Sequence, residues 1–127
     1  MLEIVGKLVD VIGNTSASER EAVQTYQAMT ALGDRAFAKE TAAELERYTL
    51  KQYLAMLERG QECGEVRTDI PAELLALFMD NQFISLQYTL ATVYYEERRH
   101  MYVGEMPTEQ VLSATKQLLR AALAPTS

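Results

Sequence analysis

An uninterrupted stretch over residues 71–98 constrains this 127-residue chain more than any other feature of its sequence. Pro71 suits the first turn of a helix, where its missing N–H has no intrahelical partner to lose. Neither Gly nor Pro follows until Gly104, so the sequence predicts a helix of about 28 residues and about 40 Å. No Asp, Glu, Lys, Arg or His lies between Asp80 and Glu96. We expect such a helix to be covered on most sides, by its own domain and by a second copy of the chain.

Hydrophobic periodicity predicts four further helices, and together they make an all-α fold of five principal helices. The five predicted helices span residues 2–12, 16–32, 35–59, 71–98 and 107–122. Gly13 and Asn14 form a left-handed stop after the first helix, and Ser16 and Glu19 have the spacing of a capping box at the second. Asp34 can cap the third helix. No period-two alternation or hairpin signal predicts a strand.

Charge and composition exclude one broad class of partner. The chain has 18 acidic and 12 basic residues, and its net charge is −6 at pH 7. Binding to nucleic acid needs clustered Lys and Arg, yet the dense basic pair Arg98-Arg99 lies beside Glu96-Glu97. We therefore expect one globular domain that makes no direct contact with nucleic acid.

The expected compartment follows from the single cysteine and the N-terminus. Cys63 cannot form an internal disulfide, which fits a reducing compartment. Glu3 interrupts the apolar N-terminal run, and no cleavage-site pattern follows, so we expect no signal peptide. No apolar run is long enough to span a bilayer. The sequence thus predicts a cytoplasmic protein with no membrane partner.

The one motif with catalytic spacing is incomplete. Glu97 and His100 have the Glu-x-x-His spacing of half a carboxylate di-iron site, which needs a second such pair and two further glutamates. The chain has one histidine, so a solvated, charged helix end is the favoured interpretation. Cys63 lacks a neighbouring histidine or lysine that would activate it. We expect no catalytic residue, no metal site, no cofactor and no enzymatic activity.

Aromatic, methionine and glutamine side chains on apolar helix faces allow two interpretations. Tyrosine and methionine at helical spacing are most often ordinary core residues. The other interpretation is a cavity for a small hydrophobic or aromatic ligand. The glutamines favour the cavity, because a buried amide without partners costs about 1–3 kcal/mol. The predicted ligand-binding residues are Tyr26, Met29, Tyr48, Gln52, Met56, Phe78 and Gln82.

A second copy of the chain is the other expected partner. We predict a homodimer that is formed by the central and final helices, in which small side chains allow close approach and apolar ones lie alongside. The predicted interface residues are Ser85, Thr89, Thr92, Val111, Leu118 and Leu119.

The connector before the long helix carries a distinctive order of residues. A helix ends in Gly, a Gly-Glu pair follows, and then come a basic residue, an Asp and a Pro that opens the next helix. These residues are Gly60, Gly64-Glu65, Arg67, Asp69 and Pro71. The segment 57–76 resembles the regulatory domain of the TetR (tetracycline-repressor-like) family of transcriptional regulators. The helix order is similar over essentially the whole chain.

The resemblance implies a role for the whole chain, residues 1–127, as a single effector-binding and dimerisation domain. The last two helices would pack with their mates in a four-helix bundle, and the first three would enclose a ligand against the central helix. No helix-turn-helix precedes Leu2, so residues 1–13 would be the remnant of a linking helix. DNA would be reached only through an absent N-terminal domain. The competing hypothesis is a helical homodimeric interaction module that has no small-molecule ligand.

Overall fold

Six α-helices make up the fold over residues 2–126, the range that the computed structural model describes. They are α1 (Leu2–Ser18), α2 (Arg20–Thr30), α3 (Arg35–Glu62), α4 (Ala72–Ala91), α5 (Val93–Val103) and α6 (Thr108–Leu123). Helix α4 lies at the centre and contacts each of the other five. No strand occurs in the described range. The all-α class is therefore confirmed, but with six helices instead of five.

The additional helix arises because the predicted long helix breaks at Thr92. This residue has an extended backbone, with φ −118° and ψ 146°, between α4 and α5. Its Oγ1 donates a hydrogen bond to the Tyr88 carbonyl oxygen at 2.8 Å, and its backbone N–H donates to the same oxygen at 3.1 Å. The prediction of an unbroken helix was wrong, because a threonine ends α4 where no Gly or Pro marks the position.

Donors from α2 satisfy two of the carbonyl groups near this break. Arg20 Nη1 donates to the Leu90 oxygen at 3.1 Å, and Gln24 Nε2 donates to the Ala91 oxygen at 3.0 Å. Carbonyl groups in the last turn of a helix have no intrahelical N–H donor, so side chains from other elements can donate to them instead. Arg20 also forms an ion pair with Glu96 of α5. Helix α2 is thereby attached to the junction of α4 and α5.

The predicted start and end signals between the first two helices were wrong. Helix α1 continues through Gly13 to Ser18, and Ser16 is buried instead of capping α2. Helix α2 follows Glu19, and no side chain caps it. Gly13 serves packing, because a Cβ there would overlap the side chain of Leu112 in α6. The Asp34 cap is confirmed, since its side chain accepts from the Phe37 N–H at 2.9 Å.

The core lies on one side of the molecule, around α1, α4, α6 and the C-terminal end of α3. The largest side chains with almost no exposed surface are Phe83, Leu57, Met79, Leu123, Val5, Val9 and Val66. Helix α2 has no buried residue, and the buried residues of α3 all lie between Met56 and Gly60. The N-terminal half of α3 and all of α2 therefore add no fully buried residue to the core. No described helix is long and apolar enough to cross a membrane.

Candidate functional site

A cleft of about 610 Å³ lies among the first four helices. Residues of α1, α2, α3 and α4 line it, including Val23, Tyr26, Tyr53 and Ile84. The Tyr26 hydroxyl donates a hydrogen bond to Glu46 Oε1 at 2.7 Å and so joins α2 to α3 beside the cleft. An adjoining pocket of about 300 Å³ between α3 and α4 is also lined by Glu46, Tyr53 and Ile84. The site thus combines apolar and aromatic side chains with polar and acidic ones.

Two carboxylates on facing helices, Glu46 of α3 and Asp80 of α4, border both the cleft and the adjoining pocket. Burial raises the pKa of Asp80, and the nearby charge of Glu46 raises it further. Neither a hydrogen bond nor an ion pair with another described residue reaches the half-buried Asp80 carboxylate. Its ionised form is therefore disfavoured in this cleft.

The same environment raises the pKa of both cleft tyrosines, Tyr26 and Tyr53. Burial raises the pKa of Tyr26, and its hydrogen bond to Glu46 raises it further. Burial raises the pKa of Tyr53 to about 12, with smaller contributions from the charges of Asp80 and Glu46. Both hydroxyls are neutral at physiological pH. They offer hydrogen bonds to a ligand without adding charge.

Asp80→Asn is expected to raise the melting temperature at pH 7, because it removes an ionised carboxylate that burial disfavours. The pKa of Asp80 is higher in the folded state than in the unfolded state, so the folded state binds the proton more tightly. Stability therefore falls as the pH rises through the folded pKa. The gain of the variant should shrink as the pH falls towards the pKa of an unfolded Asp side chain, about 3.9. Thermal unfolding across this pH range measures the effect.

Asp10→Asn is the matched control for this prediction. Asp10 accepts from Lys116 Nζ at 2.9 Å, so its replacement should leave the melting temperature unchanged or lower it. A melting temperature of Asp80→Asn at pH 7 that equals or falls below that of the wild type would contradict the electrostatic account of the cleft.

The structure does not bring the seven predicted ligand residues together. Tyr26 lines the cleft, whereas Met29 is partly exposed on α2. Tyr48 is 75% exposed and Gln52 also faces solvent, while Met56 belongs to the core. Phe78 and Gln82 lie elsewhere, because they share a small pocket with Leu118 of α6. Apolar periodicity identified hydrophobic positions but not which face of each helix meets the cleft.

Six residues that supply the charged, aromatic and apolar side chains of the cleft were not predicted from the sequence. They are Glu46, Thr49, Tyr53, Asp80, Phe83 and Ile84. One signal was present, since Asp80 is the only charged residue between Glu73 and Glu96. Such a carboxylate next to core positions is typical of a polar site. Glu46 gave no signal, because a glutamate in the middle of α3 resembles any solvated helix residue.

The predicted dimer residues fall into two groups. Leu118 is 73% exposed, Ser85 is exposed and Thr89 is half-buried. Thr92 and Leu119, in contrast, are buried within the protomer, at the helix break and in the core respectively. The half-buried Val111 packs against the core. Phe78 and Gln82 of α4 together with Leu118 of α6 form what we call the α4–α6 face, on which Phe78 is 40% exposed.

The connector residues on which the TetR resemblance is based form the hydrogen bonds that fold the connector. The Gly60 carbonyl accepts the backbone N–H groups of Glu65 and Val66, and Gly64 has φ +82°, which a side chain would strain. Arg67 donates two hydrogen bonds of 2.7 Å to Asp69. Its Nη1 donates to the Ala122 oxygen at 3.1 Å. The motif therefore folds the connector against the end of α6.

The remaining chemical candidates do not form a site within residues 2–126. Glu97 and His100 both lie exposed on α5. No group of three or more potential ligand side chains in the described range could hold a metal ion. Cys63 is exposed, and its thiol donates to the Gly60 oxygen at 3.6 Å.

Comparison with known proteins gives no relative. No family model matches the chain, and no curated protein or solved structure is significantly similar to it.

Proposed function

We propose that the chain is the effector-binding and dimerisation domain of a TetR-like transcriptional regulator, which senses a small hydrophobic or aromatic molecule. The cleft of about 610 Å³ carries this proposal. Its volume is typical of sites for small organic molecules, which are mostly apolar and contain a few polar groups. Several helices supply its walls, so a bound molecule would contact α1, α2, α3 and α4 together.

The proposed mechanism uses the attachment of α2 to the break at Thr92. Val23 and Tyr26 of α2 line the cleft. On the same helix, Arg20 and Gln24 donate hydrogen bonds to carbonyl groups at the end of α4. A ligand that favours one position of α2 would therefore also act on the junction of α4 and α5. In a full-length parent protein, such a population shift would change the arrangement of two DNA-binding domains.

The alternative is a helical homodimer that binds another protein and needs no small molecule. The exposed apolar side chains of the α4–α6 face favour it, because Leu118 and Phe78 suit contact with a second polypeptide. Both hypotheses use this face. Only the first gives the cleft a role.

A thermal-shift screen of hydrophobic and aromatic compounds tests the proposed function. A compound that binds only the folded state should stabilise it by about 2.7 kcal/mol at a hundredfold its Kd. Ala22→Trp places a large side chain on α2 at the cleft and should remove this stabilisation. Ala28→Trp is the matched control, since Ala28 is exposed on the same helix outside the cleft residues and should leave the shift intact.

If no compound stabilises the wild-type chain, the interaction-module hypothesis replaces the regulator hypothesis. Equal loss of the shift in both tryptophan variants would mean that the compound binds α2 outside the cleft.

A further inference from the structure

The charge that faces the cleft has one sign. Glu19, Glu46 and Asp80 line the cleft, and Glu73 lines the adjoining pocket. Among the described residues that line either space there is no Lys, Arg or His. Of these four carboxylates, that of Glu46 accepts a hydrogen bond from another described residue, the neutral Tyr26 hydroxyl. A molecule in the cleft would thus meet negative charge that no neighbouring cationic side chain neutralises.

Burial makes the ionised form of Asp80 unfavourable. Water stabilises an ionised carboxylate, and partial burial removes some of that water. Glu46 and Asp80 also repel each other, because like charges on facing helices border the same space. A positive group between them would reduce both penalties. A neutral ligand would relieve neither penalty, and an anionic ligand would increase the repulsion.

Aromatic side chains complete the lining. Tyr26, Tyr53 and Phe83 line the cleft, and the rings of Tyr53 and Phe83 pack edge to face with centroids 5.7 Å apart. The negative face of an aromatic ring attracts organic cations, including quaternary ammonium groups. Ile84 and Val23 add apolar surface for the uncharged part of such a molecule.

We propose that the cleft binds an organic cation, with its positive group between Glu46 and Asp80 and its apolar or aromatic body against Tyr26, Tyr53 and Ile84. This inference rests on the proposed function and specifies its ligand class. Carboxylates and tyrosines together distinguish this ligand from a neutral hydrophobic molecule of the same shape.

A matched pair of compounds tests the inference by isothermal titration calorimetry at pH 7. Benzoylcholine carries a quaternary ammonium group, and 3,3-dimethylbutyl benzoate replaces its nitrogen with carbon at nearly the same size. We expect the cation to bind at least about tenfold more tightly to the wild-type chain, since it meets two carboxylates in a partly desolvated site.

Two cleft variants and one control test whether the cleft carboxylates cause the preference for the cation. Asp80→Asn and Glu46→Gln should each reduce the preference for benzoylcholine several-fold, about as expected for one lost charge interaction. Glu58→Gln changes an exposed carboxylate of α3 outside the cleft and should leave the preference unchanged. Circular dichroism of each variant checks that the helices remain, and either cleft variant alone suffices if the other fails to fold.

Equal affinity for the two compounds, or no binding of benzoylcholine, would overturn the inference. So would an unchanged preference in both cleft variants. These outcomes are separate from failure of the proposed function, which is recorded when no hydrophobic compound stabilises the chain in the thermal-shift screen.

Discussion

Replacement of Phe83 by alanine is expected to lower the free energy of unfolding by about 3–5 kcal/mol. Phe83 is 1% exposed at the centre of α4, and its ring packs edge to face against Tyr53 of α3. The variant loses the transfer free energy of the ring and leaves a cavity that a packed helical core can fill only in part. A domain is stable by about 5–15 kcal/mol, so the loss is a large share of the total.

Urea denaturation at fixed protein concentration measures this loss. Phe37→Ala is the matched control, because Phe37 is 38% exposed near the start of α3 and should cost about 1 kcal/mol or less. The cap at Asp34 uses only the backbone N–H of Phe37 and survives the substitution. Equal losses from the two variants would contradict the placement of the core around α4.

Leu118→Glu is expected to convert a homodimer into monomers. Leu118 is 73% exposed in the protomer, beside Phe78 on the α4–α6 face, so the substitution leaves the core intact. In a two-fold interface each substitution occurs twice, and the two new carboxylates would both be desolvated. A central anchor is worth about 2–4 kcal/mol, so we expect the dimer Kd to rise by about 30-fold to 1,000-fold.

Sedimentation equilibrium at micromolar concentration measures this change in mass. Leu32→Glu, which changes a residue 55% exposed just after α2, is the control and should leave the dimer intact. A monomeric wild-type chain, or an unchanged mass in Leu118→Glu, would refute the predicted interface.

The sequence predicted the class of fold because helix signals act locally. The absence of period-two alternation and the long apolar stripes were sufficient for an all-α domain, and Asp34 caps α3 through a contact three residues away. The hydrogen bonds that satisfy carbonyl groups next to the break at Thr92 are distant in sequence. Arg20 reaches the Leu90 carbonyl across 70 positions, and no local pattern predicts that pairing.

The cleft was harder to predict for a related reason. Periodicity finds apolar positions, but the cleft depends on how α2 and α3 pack against α4 and α1. Of the residues predicted to bind a ligand, Tyr26 lines the cleft, whereas Phe78 and Gln82 lie on the α4–α6 face of the same domain. Gly13 illustrates the same limit, since a glycine that resembles a stop signal is a contact site for Leu112.

The most direct test of the ligand-binding cleft is amide chemical-shift mapping of the 15N-labelled chain with the compound that stabilises it most in the screen. We expect the largest shifts at Tyr26, at residues 46–53 and at Ile84, which lie on three of the four helices that line the cleft. Shifts confined to the α4–α6 face around Leu118, or no saturable shifts at all, would contradict this expectation.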